Sequence, residues 1–266
     1  METATSLQRR AEREIDAAVR CAPMHICVLL QPLSGGAPPI SIGAGEVLPA
    51  ASLIKTVVLV AALRAVQRED YTLQSMIPVP QNAVLPDTIA FSQGFPAYRL
   101  CELLTWMIVR SDNTAANVLI DLLGIDFIND TARGMGLKHT ELCRKMLDFE
   151  AAARGVDNTT TAADQCALFA ALYAETVLTP ALCRTARDIL KGQRDGEVLL
   201  RYLWQDVSVA HKTGELDDVR HDAGVFETVQ PYFLAVLITK ATDLRAAEEL
   251  AGRIGRMVYE VEEKQQ

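Results

Sequence analysis

Apolar residues along these 266 positions repeat with the period of strands only toward the two chain ends. This distribution constrains the fold more than any other feature. His25 to Leu30 is a short apolar run that fits a buried strand. Pro32 to Gly36 reads as a turn, and Pro39 to Ile42 starts a returning strand. Far downstream, Val207 to Lys212 alternates, Gly224 to Val229 is strand-like, and Tyr232 to Thr239 is a continuous apolar run. The middle is patterned for helices at Ser52–Gln67, Arg99–Val109, Ala115–Leu123, Ala162–Leu172 and Pro180–Leu190. The first of these is apolar nearly all round, which demands burial. Loops rich in Pro, Gly and Asn separate them, as at Pro78–Pro96 and Arg154–Thr161. Leu7–Val19 and Leu244–Val261 read as amphipathic helices. The arrangement predicts an α+β fold: one antiparallel sheet built from both chain ends and flanked by the terminal helices, plus an inserted all-helical domain. The expected division is residues 1–51 with 191–266 as an α/β part and 52–190 as the helical part.

Half of the residues are hydrophobic, enough for a large core in a chain this long. The net charge of −8 comes without a basic stripe. Arg9, Arg10 and Arg13 are interleaved with Glu12 and Glu14, as on a solvated helix face. Nucleic acid is therefore not an expected partner. The six cysteines, at 21, 27, 101, 143, 166 and 183, contain no C-x-x-C pair, which argues against a zinc site of that type; no metal is expected. Cys101, Cys166 and Cys183 fall in apolar helical patterns and read as reduced core thiols, suited to a reducing compartment. The segment after Met1 is polar and mixes acids with arginines, unlike a signal peptide. The apolar stretch Thr56–Leu63 is far shorter than the roughly 20 residues a membrane span needs. Either a cytoplasmic protein or one whose export signal has been removed fits these features, and a monomer is expected.

Three short motifs carry chemistry. In Ser52-Leu53-Ile54-Lys55 the serine and lysine stand at i and i+3, on one helix face and within reach of each other. A serine needs a base to become a nucleophile, and a lysine among Leu53, Ile54, Val57 and Val58 is desolvated toward its neutral form. The helix start favours a developing oxyanion. The pattern is loose, because a serine cap followed by an outward-reaching lysine satisfies it equally. Ser111-Asp112-Asn113 lies between two helices, where capping residues gather. There Ser111 can relay a proton to a leaving group, Asn113 can bind a substrate amide, and Asp112 can hold the loop. Lys212-Thr213-Gly214 ends a candidate edge strand. Lys212 and Thr213 suit a substrate carboxylate, and Gly214 leaves room along the strand. The backbone N–H groups of Glu215 and Ser52 can form an oxyanion hole. The order and context of all three make accident an inadequate explanation.

This set is the signature of class A β-lactamases and penicillin-binding proteins, and the chain resembles that penicillin-recognising serine hydrolase superfamily. The resemblance extends to Arg110-Ser111-Asp112-Asn113-Thr114-Ala115-Ala116-Asn117, which is similar to the family's central helix pair, and to Ala210-His211-Lys212-Thr213-Gly214, similar to a core strand. It implies a β-lactamase/transpeptidase-like fold with the active site between sheet and helices. It also implies hydrolysis of β-lactam amides through an acyl-enzyme on Ser52, with Lys55 as base or proton relay and no cofactor. In it, Ser111 protonates the leaving nitrogen and Asn113 orients the acyl side chain, while Lys212 and Thr213 face the substrate carboxylate. An extracytoplasmic protein, its signal removed, would also fit. The family's E-x-x-L-N glutamate loop has no match. The shortened stretch Arg144–Gly155 offers Glu150 as the deacylation base, with Asp148 and Glu141 behind it. If none of these acts, a D-Ala-D-Ala peptidase, an esterase or a non-turnover β-lactam sensor is expected instead. Arg220 is a weak candidate for an accessory carboxylate-binding arginine, in a turn after Lys212.

Overall fold

The computed structural model describes residues 4–34, 38–88, 90–91, 94–204 and 207–263. Helix α1 (Ala4–Cys21) leads into β1 (His25–Pro32) and β2 (Ile40–Ile42). Part of the turn expected at Pro32–Gly36 and part of the Pro78–Pro96 loop lie outside the described residues. A two-residue strand β3 (Leu48–Pro49) and a 3-10 turn (Ala51–Ile54) precede α2 (Lys55–Gln67). Then come β4 (Met76–Pro78), β5 (Ala97–Arg99), α3 (Leu100–Val109), α4 (Asn113–Leu123), α5 (Ile125–Gly134) and α6 (Phe149–Ala153). The chain continues through β6 (Thr159–Thr160), α7 (Ala162–Tyr173) and α8 (Pro180–Lys191). It closes with β7 (Val209–Leu216), β8 (Val219–Phe226), β9 (Tyr232–Thr239) and α9 (Leu244–Glu263).

The main sheet is antiparallel, in the order β2-β1-β9-β8-β7. The two chain ends meet along β1 and β9, from His25 opposite Thr239 to Pro32 opposite Tyr232. Period-two alternation in β1 sorts its side chains between two cores. Ile26, Val28 and Leu30 pack with the terminal helices α1 and α9. Cys27 and Leu29 face the core that holds the internal helices. Helix α7 packs on β1, β8 and β9 from one side and α9 packs on β8 and β9 from the other, which explains why all of β8 and β9 is buried. Helix α2 is surrounded by α3, α4, α5 and α8, and no residue from Lys55 to Leu63 is more than 1% exposed. The all-round apolar pattern of that segment has this cause.

Two strand expectations are corrected. Lys212, Thr213 and Gly214 lie inside β7, which runs on to Leu216. Strand β8 starts at Val219, five positions before the apolar stretch predicted at Gly224. A tight hairpin pairs Leu216 with Val219 and draws Arg220, His221 and Asp222 into the sheet. Polar side chains satisfied by tertiary partners hide a strand from hydropathy patterning. Asp222 accepts from the Leu199 N–H and pairs with His211 Nδ1 at 2.8 Å. The small ladders β3–β6 and β4–β5, and helices α5 and α6, are further elements that the periodicity did not single out.

His221 ties the sheet to the segment before α2. Its Nδ1 accepts from the Ile238 N–H at 3.0 Å, so Nε2 carries the proton and donates to the Pro49 carbonyl at 2.9 Å. Burial pushes this imidazole down to about 4. The unfolded chain binds the proton near 6.5 and the folded chain does not, so stability falls as pH drops from about 6.5 to about 4. Full loss across that window amounts to something on the order of 3 kcal/mol. Denaturant titrations at both ends of the window should resolve this loss, and His221→Gln should flatten it.

Candidate active site

Ser52 sits in the 3-10 turn at the entrance of α2, one residue after Ala51, whose φ of 47° is left-handed. Lys55 begins α2 proper and is fully buried. Its Nζ lies 3.0 Å from Ser52 Oγ, 2.6 Å from the Ser111 carbonyl, 3.2 Å from Ser111 Oγ and 2.7 Å from Asn113 Oδ1. An ammonium has only three hydrogens, so these four neighbours cannot all accept from it. The carbonyl and amide oxygens can only accept. A neutral amine can donate to both and turn its lone pair toward a hydroxyl, which then donates to nitrogen. Burial holds Lys55 well below the ordinary lysine range, and the Lys212 charge lowers it further, against opposing pulls from Asp112 and Asp87.

Ser111 connects the two lysines. Lys212 Nζ donates to Ser111 Oγ at 3.0 Å and to the Thr213 carbonyl at 2.7 Å. Burial pushes Lys212 down to about 7, although Asp222 and Asp195 favour its charged form. Ser111 is held at φ 53°, strained for a residue with a Cβ, and Asp112 after it caps α4 by accepting from the Ala115 N–H at 2.8 Å. Thr88 donates a short hydrogen bond to the other Asp112 oxygen. Asn113 Nδ2 donates to Asp87 Oδ2 at 2.7 Å, fixing which amide oxygen faces Lys55.

Gly214 is required where β7 passes the Ser52 turn. A Cβ there would stand 3.2 Å from Ala51 Cβ and 3.3 Å from the Ser52 nitrogen. The site opens on both sides of Lys55. On the Ser111 and Thr213 side is a cavity of about 620 Å³, within the usual range for small-molecule sites. On the Ser52, Asn113 and Glu215 side is a cleft of about 70 Å³.

A family model described as the β-lactamase enzyme family matches residues 10–261. The chain belongs to that family. It is 30% identical to a β-lactamase of Streptomyces fradiae over 237 residues, 82% of this chain and 75% of the relative. Among solved structures, PBP-A is 29% identical and superposes with a TM-score of 0.87 over 96% of each chain. A PBP-A mutant captured as an acyl-enzyme complex with penicillin G is 28% identical, with a TM-score of 0.86 over 98% of this chain and 97% of that one. The protein is thus a serine β-lactamase-like hydrolase with the α+β fold of its family.

Within this family site, the segment from Glu141 to Asn158 walls the small cleft. Its backbone is held by side-chain amides. Asn117 bonds both the Met146 N–H and carbonyl, Asn158 accepts from Cys143 and Arg144 N–H groups, and Asn129 bonds Leu142 on both sides. This segment lines the cleft with Arg144, Met146, Leu147, Phe149, Asp157 and Asn158. Glu150 stands in the first turn of α6 with an exposed side chain. Asp148 caps that helix through the Ala151 N–H, and exposed Glu141 pairs its backbone with Thr159. Arg220 is corrected from a turn to the interior of β8. It is 5% exposed and ion-paired to Asp195, Glu215 and Glu248, so its guanidinium is already matched by carboxylates.

The motif residues Ser52, Lys55, Ser111, Asn113, Lys212, Thr213 and Gly214 converge. Sequence reasoning missed Asp87, Asn158 and Leu147, whose neighbours in the site come from distant segments. No local signal marks them; of the asparagines that hold the cleft wall, Asn117 stands inside the quoted helix motif. Gly214→Ala must push the Ser52 turn aside by a few tenths of an ångström. Acylation by a chromogenic cephalosporin should slow roughly ten- to hundredfold in stopped-flow mixing, since small misplacements of a nucleophile carry such penalties. An unchanged rate would show that the close approach does not set the nucleophile.

Proposed function

We propose that the protein opens β-lactam amides by forming an acyl-enzyme on Ser52, in the manner of class A serine β-lactamases. The single observation that carries this reading is the Lys55 amine, fully buried, 3.0 Å from Ser52 Oγ and held well below the ordinary lysine range by that burial. Neutral Lys55 takes the Ser52 proton as Oγ attacks the lactam carbonyl. The oxyanion lies against the N–H groups of Ser52 and Glu215. The proton passes from Lys55 through Ser111 Oγ to the lactam nitrogen as the C–N bond breaks. Lys212 and Thr213 hold the substrate carboxylate, and Asn113 meets the acyl side-chain amide. Water then cleaves the ester and restores Ser52. No step calls for a metal or an organic cofactor.

Incubation with a chromogenic cephalosporin, followed by intact mass measurement, tests the proposal. A covalent adduct on Ser52 is expected within the first turnovers, and Ser52→Ala should abolish it. No adduct with any β-lactam would end this reading. Support also comes from the related PBP-A mutant, which was captured as a penicillin G acyl-enzyme.

Release of the acyl group favours a second reading, in which deacylation is slow and the protein acts as a peptidase, esterase or β-lactam-binding module of the same superfamily. What supports it is the wall of the Ser52 cleft, where Met146, Leu147 and Phe149 stand and Glu150 does not line the surface. Glu150 is a deacylation base only if its carboxylate turns inward around Phe149. Its exposure leads us to expect turnover within about twofold of the parent in Glu150→Gln. A drop nearing the hundredfold or more that general-base catalysis supplies, with acylation spared, would assign it the role.

A further inference from the structure

We propose that His25, Cys27 and Glu46 form a second site, away from Ser52, that binds a zinc-like divalent transition metal. His25 and Cys27 stand two residues apart on β1 and so share a face of the strand. Glu46 reaches them from the loop after β2, where its N–H donates to the Gly43 carbonyl at 2.9 Å. One ligating atom from each of the three lies within 4.8 Å of the other two. His25 Nε2 is 2.9 Å from Glu46 Oε2 and 3.7 Å from Cys27 Sγ. With zinc bonds of the usual lengths, tetrahedral neighbours stand about 3.4 to 3.6 Å apart, so small side-chain rotations suffice.

Gly43 keeps the space between these groups open. Its φ is 61°, and a Cβ there would lie 2.7 Å from Glu46 Oε1 and 2.9 Å from Cys27 Sγ. Cys27 forms the buried floor, while His25 and Glu46 are 36% and 53% exposed and give access from solvent. Thiolate, imidazole and carboxylate together suit zinc better than magnesium or calcium, with water in the fourth position. Burial, and then Glu46, push the Cys27 thiol up to about 11, so without metal it keeps its proton. On binding, the Sγ–H bond breaks, the proton leaves to solvent and the sulfur lone pair binds the cation. The His25 proton moves through solvent from Nε2, where Glu46 Oε2 accepts it in the metal-free site, to Nδ1, which frees Nε2 for the cation. Neither oxidation nor reduction occurs. The absence of a C-x-x-C pair had argued against zinc, but that spacing rule says nothing about ligands joined across a loop. Such a clip would tie β1 to the segment that leads through β3 to Ser52.

Cobalt(II) titration of the full chain tests the site. One equivalent should produce a thiolate-to-cobalt charge-transfer band in the near ultraviolet with tetrahedral visible bands, and zinc should displace it. Cys21→Ser removes the exposed thiol and should leave the spectrum intact. Cys27→Ser should abolish the charge-transfer band. His25→Asn and Glu46→Gln, both at the surface, should each weaken zinc binding by more than the roughly 10- to 100-fold typical for loss of an outer-sphere partner. Zinc should raise the thermal midpoint of the parent and not of Cys27→Ser. The proposal is overturned if no charge-transfer band forms, if it survives Cys27→Ser, or if both surface variants bind zinc as the parent does.

Discussion

One buried amine organises this enzyme. Lys55 Nζ touches the Ser52 hydroxyl in the turn before its own helix, the Ser111 carbonyl and hydroxyl, and the Asn113 amide from the junction of α3 and α4. A lysine enclosed in this way is costly when charged, because no water solvates it. The cost is offset by letting the group go neutral and by surrounding it with oriented acceptors. Chemistry and folding therefore rest on the same contacts.

Two further constraints hold these atoms in register. Helix α2 is so thoroughly enclosed that it cannot slide or rotate without disrupting the main core. Strand β7 presses against the Ser52 turn through Gly214 and brings Lys212 to the far side of Ser111. Between these rigid elements the backbone carries strain, with left-handed φ at Ala51, Ser111 and Leu147, each beside or in the site. Such conformations cost on the order of 1–3 kcal/mol apiece and persist only where the surroundings over-determine them. Here the caps, the asparagine clamps and the packed helices supply that determination.

The two lysines also differ in how their charge is managed. Lys212 has Asp222 and Asp195 nearby to favour its cation, and it faces the side where an anionic substrate group would sit. Lys55 is favoured as a cation by Asp112 and Asp87, but burial and then the Lys212 charge act against it. The two amines are joined by one hydroxyl, that of Ser111, as the proposed division into a base and an anchor needs. The Arg220 guanidinium on β8 is instead matched by three carboxylates.

Much of this was legible in the residues alone. Strand patterning at both chain ends and all-round apolarity after Ser52 pointed to an antiparallel sheet and a fully enclosed helix, because hydropathy period reports which faces must leave water. The three motifs singled out side chains that the fold brings together, because each proposed role needs a particular functional group. Strand β8 was hidden, since Arg220, His221 and Asp222 are polar and their burial depends on partners elsewhere in the chain. Asp87, Leu147 and the Gly43 cradle were equally silent, because their meaning lies in distances across loops. Tertiary structure alone decided that Lys212 lies inside its strand, that Glu150 faces solvent, and that four acceptors crowd the Lys55 amine. Local sequence specifies which groups are present; packing specifies which of them share a proton.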